Sequence, residues 1–289
     1  MEYKLSDLES WDERICDIAK KHGLDWYEIT YEFIDYYSML SAMAFHGLPS
    51  HFNHWSFGKS FERTHHMYNL GMEGLPYELI INSDPSVAYM MRENPLYLQI
   101  LIMAHCTGHS DFFKNNRTFK GTRPETIVGR SRAAKKRFQS YVEDPSIGID
   151  KVEDIIDACH ALQFQVQKPG VIRRTKDEII EAHLDRKKLD PKMKDLDIDR
   201  TPLENDYDII AFILENAKMP DLKRDIIEVC HDEGKYFWPQ IMTKVMNEGW
   251  ASYWHYTICH ELDLPPELHV AIIKSHNQRS EEHTSELQS

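Results

Sequence analysis

Apolar positions recur at helical spacing through most of the chain. Between Ser6 and Lys21, Leu8, Trp11, Ile15 and Ile18 or Ala19 fall on one face, which predicts a helix, and Gly23 supplies its C-terminal stop. Trp26 to Phe45 reads as a second helix, dense in aromatic residues. Gly47, Pro49 and the run HFNHWSFG read as a loop, and Ser60 to Asn69 as a helix. YELIIN, Tyr77 to Asn82, has the make-up of a short strand, and Pro85 stands at a good N-terminal position for another helix. Leu96 to Phe113 carries apolar residues all round and reads as a buried helix.

The second half continues in the same way. Pro124 to Val142 predicts a basic helix, and Lys151 to Gln167 a helix with Val152, Ile155, Ile156, Cys159 and Leu162 on one side. Residues 168–206 change character: charge is dense and Pro169, Pro191 and Pro202 interrupt, so the stretch reads as an excursion with one exposed helix, Lys176 to Lys188. YDIIAFILENA and Leu222 to Glu233 predict helices, YFWPQ a loop or a helix start, Thr243 to Glu261 a long helix, and Pro266 the start of a last one. No internal repeat is visible. The expected class is mainly α, a multi-helix single domain over 1–278 with at most a short β element, because distinctive motifs lie on both sides of the excursion.

The 289 residues are 42% hydrophobic and 28% charged, ordinary for a globular chain able to bury a substantial core. A net charge of −13 argues against a general nucleic-acid binder or a binder of anionic membranes, since both need a basic face. GRSRAAKKRF, Gly129 to Phe138, reads as the solvated face of a helix. Five scattered cysteines with no CxxC pair suit a reducing compartment. With no signal-peptide core and no apolar run of membrane-spanning length, the expectation is a cytoplasmic protein without membrane insertion. The closing RSEEHTSELQS, Arg279 to Ser289, matches a translated frame of a common sequencing-adapter oligonucleotide. It is read as an artefact tail, which implies a chain truncated at its C-terminus.

The candidate chemistry centres on LIMAHCTGHSDFFKNN. His105 and His109 stand four apart, so on a helix both imidazoles leave the same face and can reach one ion. A buried histidine pair that only hydrogen-bonds fits the same spacing. Cys106 follows the first histidine, where a metalloprotease would place its glutamate, and it projects about 100° away on an ideal helix. His255, seven residues beyond Glu248, lies about 10 Å further along the axis, too far to share the ion on a straight helix. It serves either as an outer residue behind the ligands or as a histidine within the aromatic layer of Tyr253, Trp254 and Tyr256. His54, beside Trp55, and Asn247, beside Glu248, are pocket candidates. Lys114 and Asn115 are candidates for a polar substrate, or else a helix cap and a partner for the helix dipole. His160 reads as a satisfied core histidine.

NEGWASY, Asn247 to Tyr253, resembles the glutamate helix of gluzincin metallopeptidases, which follows a two-histidine helix in the chain. That resemblance implies His105, His109 and Glu248 as ligands of a divalent ion, zinc first, with an open fourth position. The departures are Cys106 in place of the general base and a much longer gap between His109 and Glu248.

HWSFGKSFERTHHMYNLGMEGLPYELIINSDPSVAYMMREN, MAHCTGHSDFFKNN, DACHAL and YFWPQIMTKVMNEGWASYWHYTI occur in the order and form of the SpoVR family, the stage V sporulation protein R group. The chain resembles that family from about residue 10 to 278, with MAHCTGHSDFFKNN a mild departure from a MAHVYGHCDFFKNN-like form. The resemblance implies a cytoplasmic prokaryotic protein tied to the spore cortex, a peptidoglycan layer, or more widely to stress and stationary-phase physiology. It also implies companions: a serine-kinase-like protein and a von Willebrand-type protein. Two activities are compatible with these residues. One is metal-dependent hydrolysis of an amide-type bond; the other is a non-catalytic regulator or scaffold acting through partners.

Overall fold

The computed structural model describes residues 3–70, 77–168, 175–197, 200 and 208–286, with side chains described as far as 277. The expected loops around Pro169 and Pro202, and the side chains of the proposed artefact tail, lie outside the described residues. Among the described residues the chain forms ten α-helices and three short strands, a mainly α architecture with a small β element. None of these helices is long and apolar enough to cross a membrane. The chain divides into two compact units, Met1–Lys136 with Thr243–Ser289, and Arg137–Met242.

The first unit opens with α1 (Leu5–Lys21), which buries Leu8, Ile15 and Ala19 along one stripe. Gly23 follows at φ +82°, the left-handed turn that ends the helix. The expected second helix is in fact two elements, strand β1 (Ile29–Ile34) and then α2 (Tyr36–Ala44). The run ITYEFI alternates, turning Ile29, Tyr31 and Phe33 to the core, and its β-branched and aromatic residues suit a pleated surface. Asp35 separates the two elements by accepting from the backbone N–H of Ser38 at 2.8 Å, as an N-cap.

Helix α3 (Trp55–Asn69) begins inside the run expected to be loop, because His54 acts as its N-cap and accepts from the Ser56 N–H. Strand β2 (Glu78–Ile81) forms as predicted. The stretch after Pro85 does not start a helix. It is strand β3 (Ser86–Met91), central in the order β1-β3-β2, parallel to β1 and antiparallel to β2. Proline is tolerated there because it precedes the strand, where no ladder donor is required. The local pattern misleads in both places because a parallel pairing joins residues nearly sixty positions apart, Ile29 with Ser86.

Helix α4 (Leu96–Asn115) is the centre of the unit: every residue from Leu98 to Phe113 is buried. Ala88 and Met90 of β3, Ile15 of α1 and Ile258 join it in one apolar core. Helix α5 (Ile127–Glu143) follows.

In the second unit, α6 (Gly148–Leu162) buries Val152, Ile156 and Cys159. Helix α7 (Lys176–Leu189) is the exposed helix expected within the excursion, started by a capping box between Thr175 and Glu178. Helix α8 (Ile209–Asn216) is capped by Asp208. The sequence predicts a break at YFWPQ; the structure instead has one helix, α9 (Asp221–Glu261), with Pro239 inside it. An interior proline normally costs about 3 kcal/mol. Burial of Ile226, Cys230 and Tyr236 along the preceding turns holds the helix against that local cost. The last helix, α10 (Pro266–Glu286), belongs to the first unit and runs by its backbone past Gln278.

Candidate metal centre

Helix α4 and the part of α9 from Thr243 on, which belongs to the first unit, build the site. Between them stands Gly108, one residue before His109. A Cβ there would lie 2.8 Å from the Ala251 Cα and 3.4 Å from the Trp254 Cβ, so only glycine lets the two backbones approach this closely. A glycine inside an apolar helix is a sequence signal of such close approach. Across the same contact the Trp250 Nε1–H donates to Asp111 Oδ2 at 2.9 Å. Asp111 also accepts from the Asp25 backbone N–H at 2.8 Å, which fixes the carboxylate.

The close approach brings His105, His109 and Glu248 together. His105 and His109 are buried, and the Glu248 side chain remains 30% exposed, so the site is open on the side of the carboxylate. The Nε2 atoms of the two histidines are 3.0 Å apart, and Glu248 Oε2 lies 3.6 Å from the first and 3.7 Å from the second. These three atoms form the one group of potential metal ligands found among the described residues. The nearest point equidistant from all three, in their common plane, is about 2.0 Å from each, so a position at zinc–nitrogen and zinc–oxygen bond lengths of about 2.0–2.2 Å exists at or just off that plane.

The surrounding hydrogen bonds set the imidazoles for this role. Asn247 Oδ1 accepts from His109 Nδ1 at 2.9 Å, so the proton of a neutral His109 sits on Nδ1 and the Nε2 lone pair faces His105. His105 Nδ1 is 2.9 Å from His255 Nδ1, and His255 Nε2 is 2.7 Å from His276 Nδ1. If His105 donates to His255, its own Nε2 lone pair also faces the site. Two ring nitrogens in that state repel at 3.0 Å, and a cation between them removes the repulsion. The competing arrangement keeps the proton on His105 Nε2, donates it to His109, and reverses the bond to His255.

The candidate residues therefore divide. His105, His109 and Glu248 converge; Asn247 and His255 stand directly behind the two histidines. His54 caps α3 and hydrogen-bonds Ser56 Oγ at 2.7 Å. Lys114 pairs with Asp25 and donates to the Trp26 carbonyl at 3.3 Å, and Asn115 donates to the Asp25 carbonyl at 2.8 Å, so both tie the end of α4 to the segment before β1. Cys106 points into the apolar core, away from the convergence point. Two residues escaped the sequence reading: His276, behind His255, and Glu78, whose Oε1 is 3.7 Å from His105 Nε2. An acidic residue opening the apolar strand ELII was the available signal for the latter.

Fold and site together define a mainly α protein with a candidate three-ligand metal centre between two helices. The chain belongs to the SpoVR-like family: the family model described as SpoVR like protein matches residues 2–288. A relative from Escherichia coli (strain K12), Uncharacterized protein YcgB, is 34% identical over 287 residues, covering 90% of this chain and 56% of the relative. The chain thus spans little more than half the length of the curated relative it matches. No solved structure matches.

Proposed function

We propose that this SpoVR-like protein binds one divalent ion, zinc first among candidates, through His105, His109 and Glu248. The observation that carries the reading is the convergence of the three ligand atoms on a point about 2.0 Å from each. When bound, such an ion supplies a Lewis acid able to polarise a carbonyl. The residues present hold and orient the ligands, and the exposed side of Glu248 admits a ligand from solvent. The activity in keeping with this donor set is hydrolysis of an amide-type bond in a peptide or peptidoglycan precursor. In spore formers the place for it is the cortex, elsewhere stress or stationary-phase physiology, in the cytoplasm beside serine-kinase-like and von Willebrand-type companions.

One observation favours a second reading, a non-catalytic regulator or scaffold. Cys106 occupies the general-base position of the histidine helix and is fully buried in the apolar core, so α4 offers no carboxylate at that position. Metal titration against a chromophoric chelator, followed by assay of the zinc-loaded protein on amide substrates, separates the two. Tight binding with turnover lost in Glu248→Ala supports the hydrolase. Tight binding without turnover on any peptide or muropeptide amide favours the scaffold, and no binding rejects the metal centre.

A further inference from the structure

Three histidines stand in line from the site to the last helix. His105 Nδ1 is 2.9 Å from His255 Nδ1, and His255 Nε2 is 2.7 Å from His276 Nδ1. They come from α4, α9 and α10, all within the first unit. His105 and His255 are fully buried and His276 is half-buried, so the row runs outward from the ligand pair. A neutral imidazole carries one N–H and one lone pair, and each contact of this length holds one proton. The protons in the row therefore all point the same way, and the state of one ring sets the next.

The inner end decides the direction. His109 gives its Nδ1 proton to Asn247 Oδ1, so its Nε2 turns a lone pair towards His105 Nε2 at 3.0 Å. Without an ion, that contact needs a proton on His105 Nε2. His105 Nδ1 then accepts from His255, and His255 Nε2 accepts from the Nδ1–H of His276. With an ion on His105 Nε2, every bond in the row reverses: His105 donates from Nδ1, His255 donates from Nε2, and His276 Nδ1 accepts. We propose that the three histidines form a reversible relay in which His276 is a positioning residue, acting through His255 to present the Nε2 lone pair of His105 to a divalent ion. This inference rests on the reading of His105, His109 and Glu248 as ligands. Each ring stays neutral in both states. The proton displaced from His105 Nε2 leaves to solvent, one proton passes from His255 to His105 and one from His276 to His255, and His276 Nε2 takes one from solvent. Helix α10 thereby registers whether the site is filled.

The test follows ring protonation by long-range ¹H–¹⁵N NMR on the full chain labelled with ¹⁵N-histidine, metal-free and with equimolar Zn²⁺. At about pH 8, above the ordinary imidazole pKa of about 6.5, the rings are read in their neutral form. The His276 signals are assigned by their loss in His276→Asn, and circular dichroism checks the fold of each variant. The inference expects His276 protonated at Nδ1 without zinc and at Nε2 with it. It also expects His276→Phe, which keeps a ring but no acceptor, to bind Zn²⁺ about 3- to 10-fold more weakly by chelator competition, at or below the low end of the range for a ligand's direct partner. His276→Asn, whose amide oxygen accepts, recovers most of that loss. An unchanged His276 tautomer in a chain that binds zinc overturns the relay and leaves the three-ligand centre intact. Equal affinity in the Phe and Asn variants, weakened or not, also overturns it, because His276 then has no part in positioning. A wild-type chain that binds no Zn²⁺ overturns the metal centre itself and this inference with it.

Discussion

His109 donates from Nδ1 to Asn247 Oδ1 at 2.9 Å, and this bond decides what the other side of the ring can do. Asn247 adjoins Glu248, so a single turn of α9 supplies both the carboxylate and the residue that orients a histidine. His255, two turns on, meets the other histidine. The ligands and their supports are thus packed on one stripe of each helix.

Replacing Asn247 by Ala removes the acceptor that holds the His109 tautomer. Residues of this kind typically contribute 10–100-fold to metal affinity. The expected outcome is a folded chain with zinc affinity lower by about that factor, read by chelator competition. Asn247→Asp, which still accepts, is expected to retain affinity.

Gly108→Ala tests the helix contact. The added Cβ meets the Ala251 backbone at 2.8 Å, an atom that cannot rotate away. Overpacking of this kind costs about 1–3 kcal/mol, against about 1 kcal/mol gained by alanine in a helix. A lower melting temperature is expected, together with weaker metal binding, because the contact sets the spacing of Glu248 from the histidines.

Much of this site was legible in the sequence. Helical periodicity nominated His105 and His109, because it fixes which side chains share a face, and the resemblance of NEGWASY to the gluzincin glutamate helix nominated Glu248. Asn247 was a candidate by its place beside Glu248, and the sequence left His255 open between an outer residue behind the ligands and the aromatic layer of Tyr253, Trp254 and Tyr256. The sheet was not legible in full. ITYEFI alternates, but it is short, aromatic and next to a helix, and its partner SVAYMM lies far along the chain, so the alternation alone does not separate a strand from the helix expected over Trp26 to Phe45. Glu78 escaped for the same reason, since only the register of β2 against β3 turns it inward. Pro239 misled in the other direction, where buried neighbours carry the helix through a residue that normally ends it.

The second unit has its own pH-sensitive contact. Burial works against the charge of Asp208. Hydrogen bonds from His231 Nε2 and from the N–H groups of Ala211 and Gln167 outweigh it and hold the carboxyl below its ordinary range. A depressed folded-state pKa gives stability that is present above the unfolded value of about 3.9 and lost as pH falls through the folded value. Wild type is therefore expected to exceed Asp208→Asn in stability at neutral pH. The gap should narrow in acid, as measured by urea unfolding across the range. A gap independent of pH would place the effect in shape rather than charge.

The most direct measurement is elemental analysis of the chain purified without a histidine tag or added metal. His105→Ala and Glu248→Ala are measured beside it, with circular dichroism as the check on folding. The account predicts about one zinc, manganese or iron per wild-type chain and its loss from both folded variants. A wild-type chain without metal, even after reconstitution, would contradict it. The 3.0 Å contact between His105 and His109 would then be a hydrogen bond within the core.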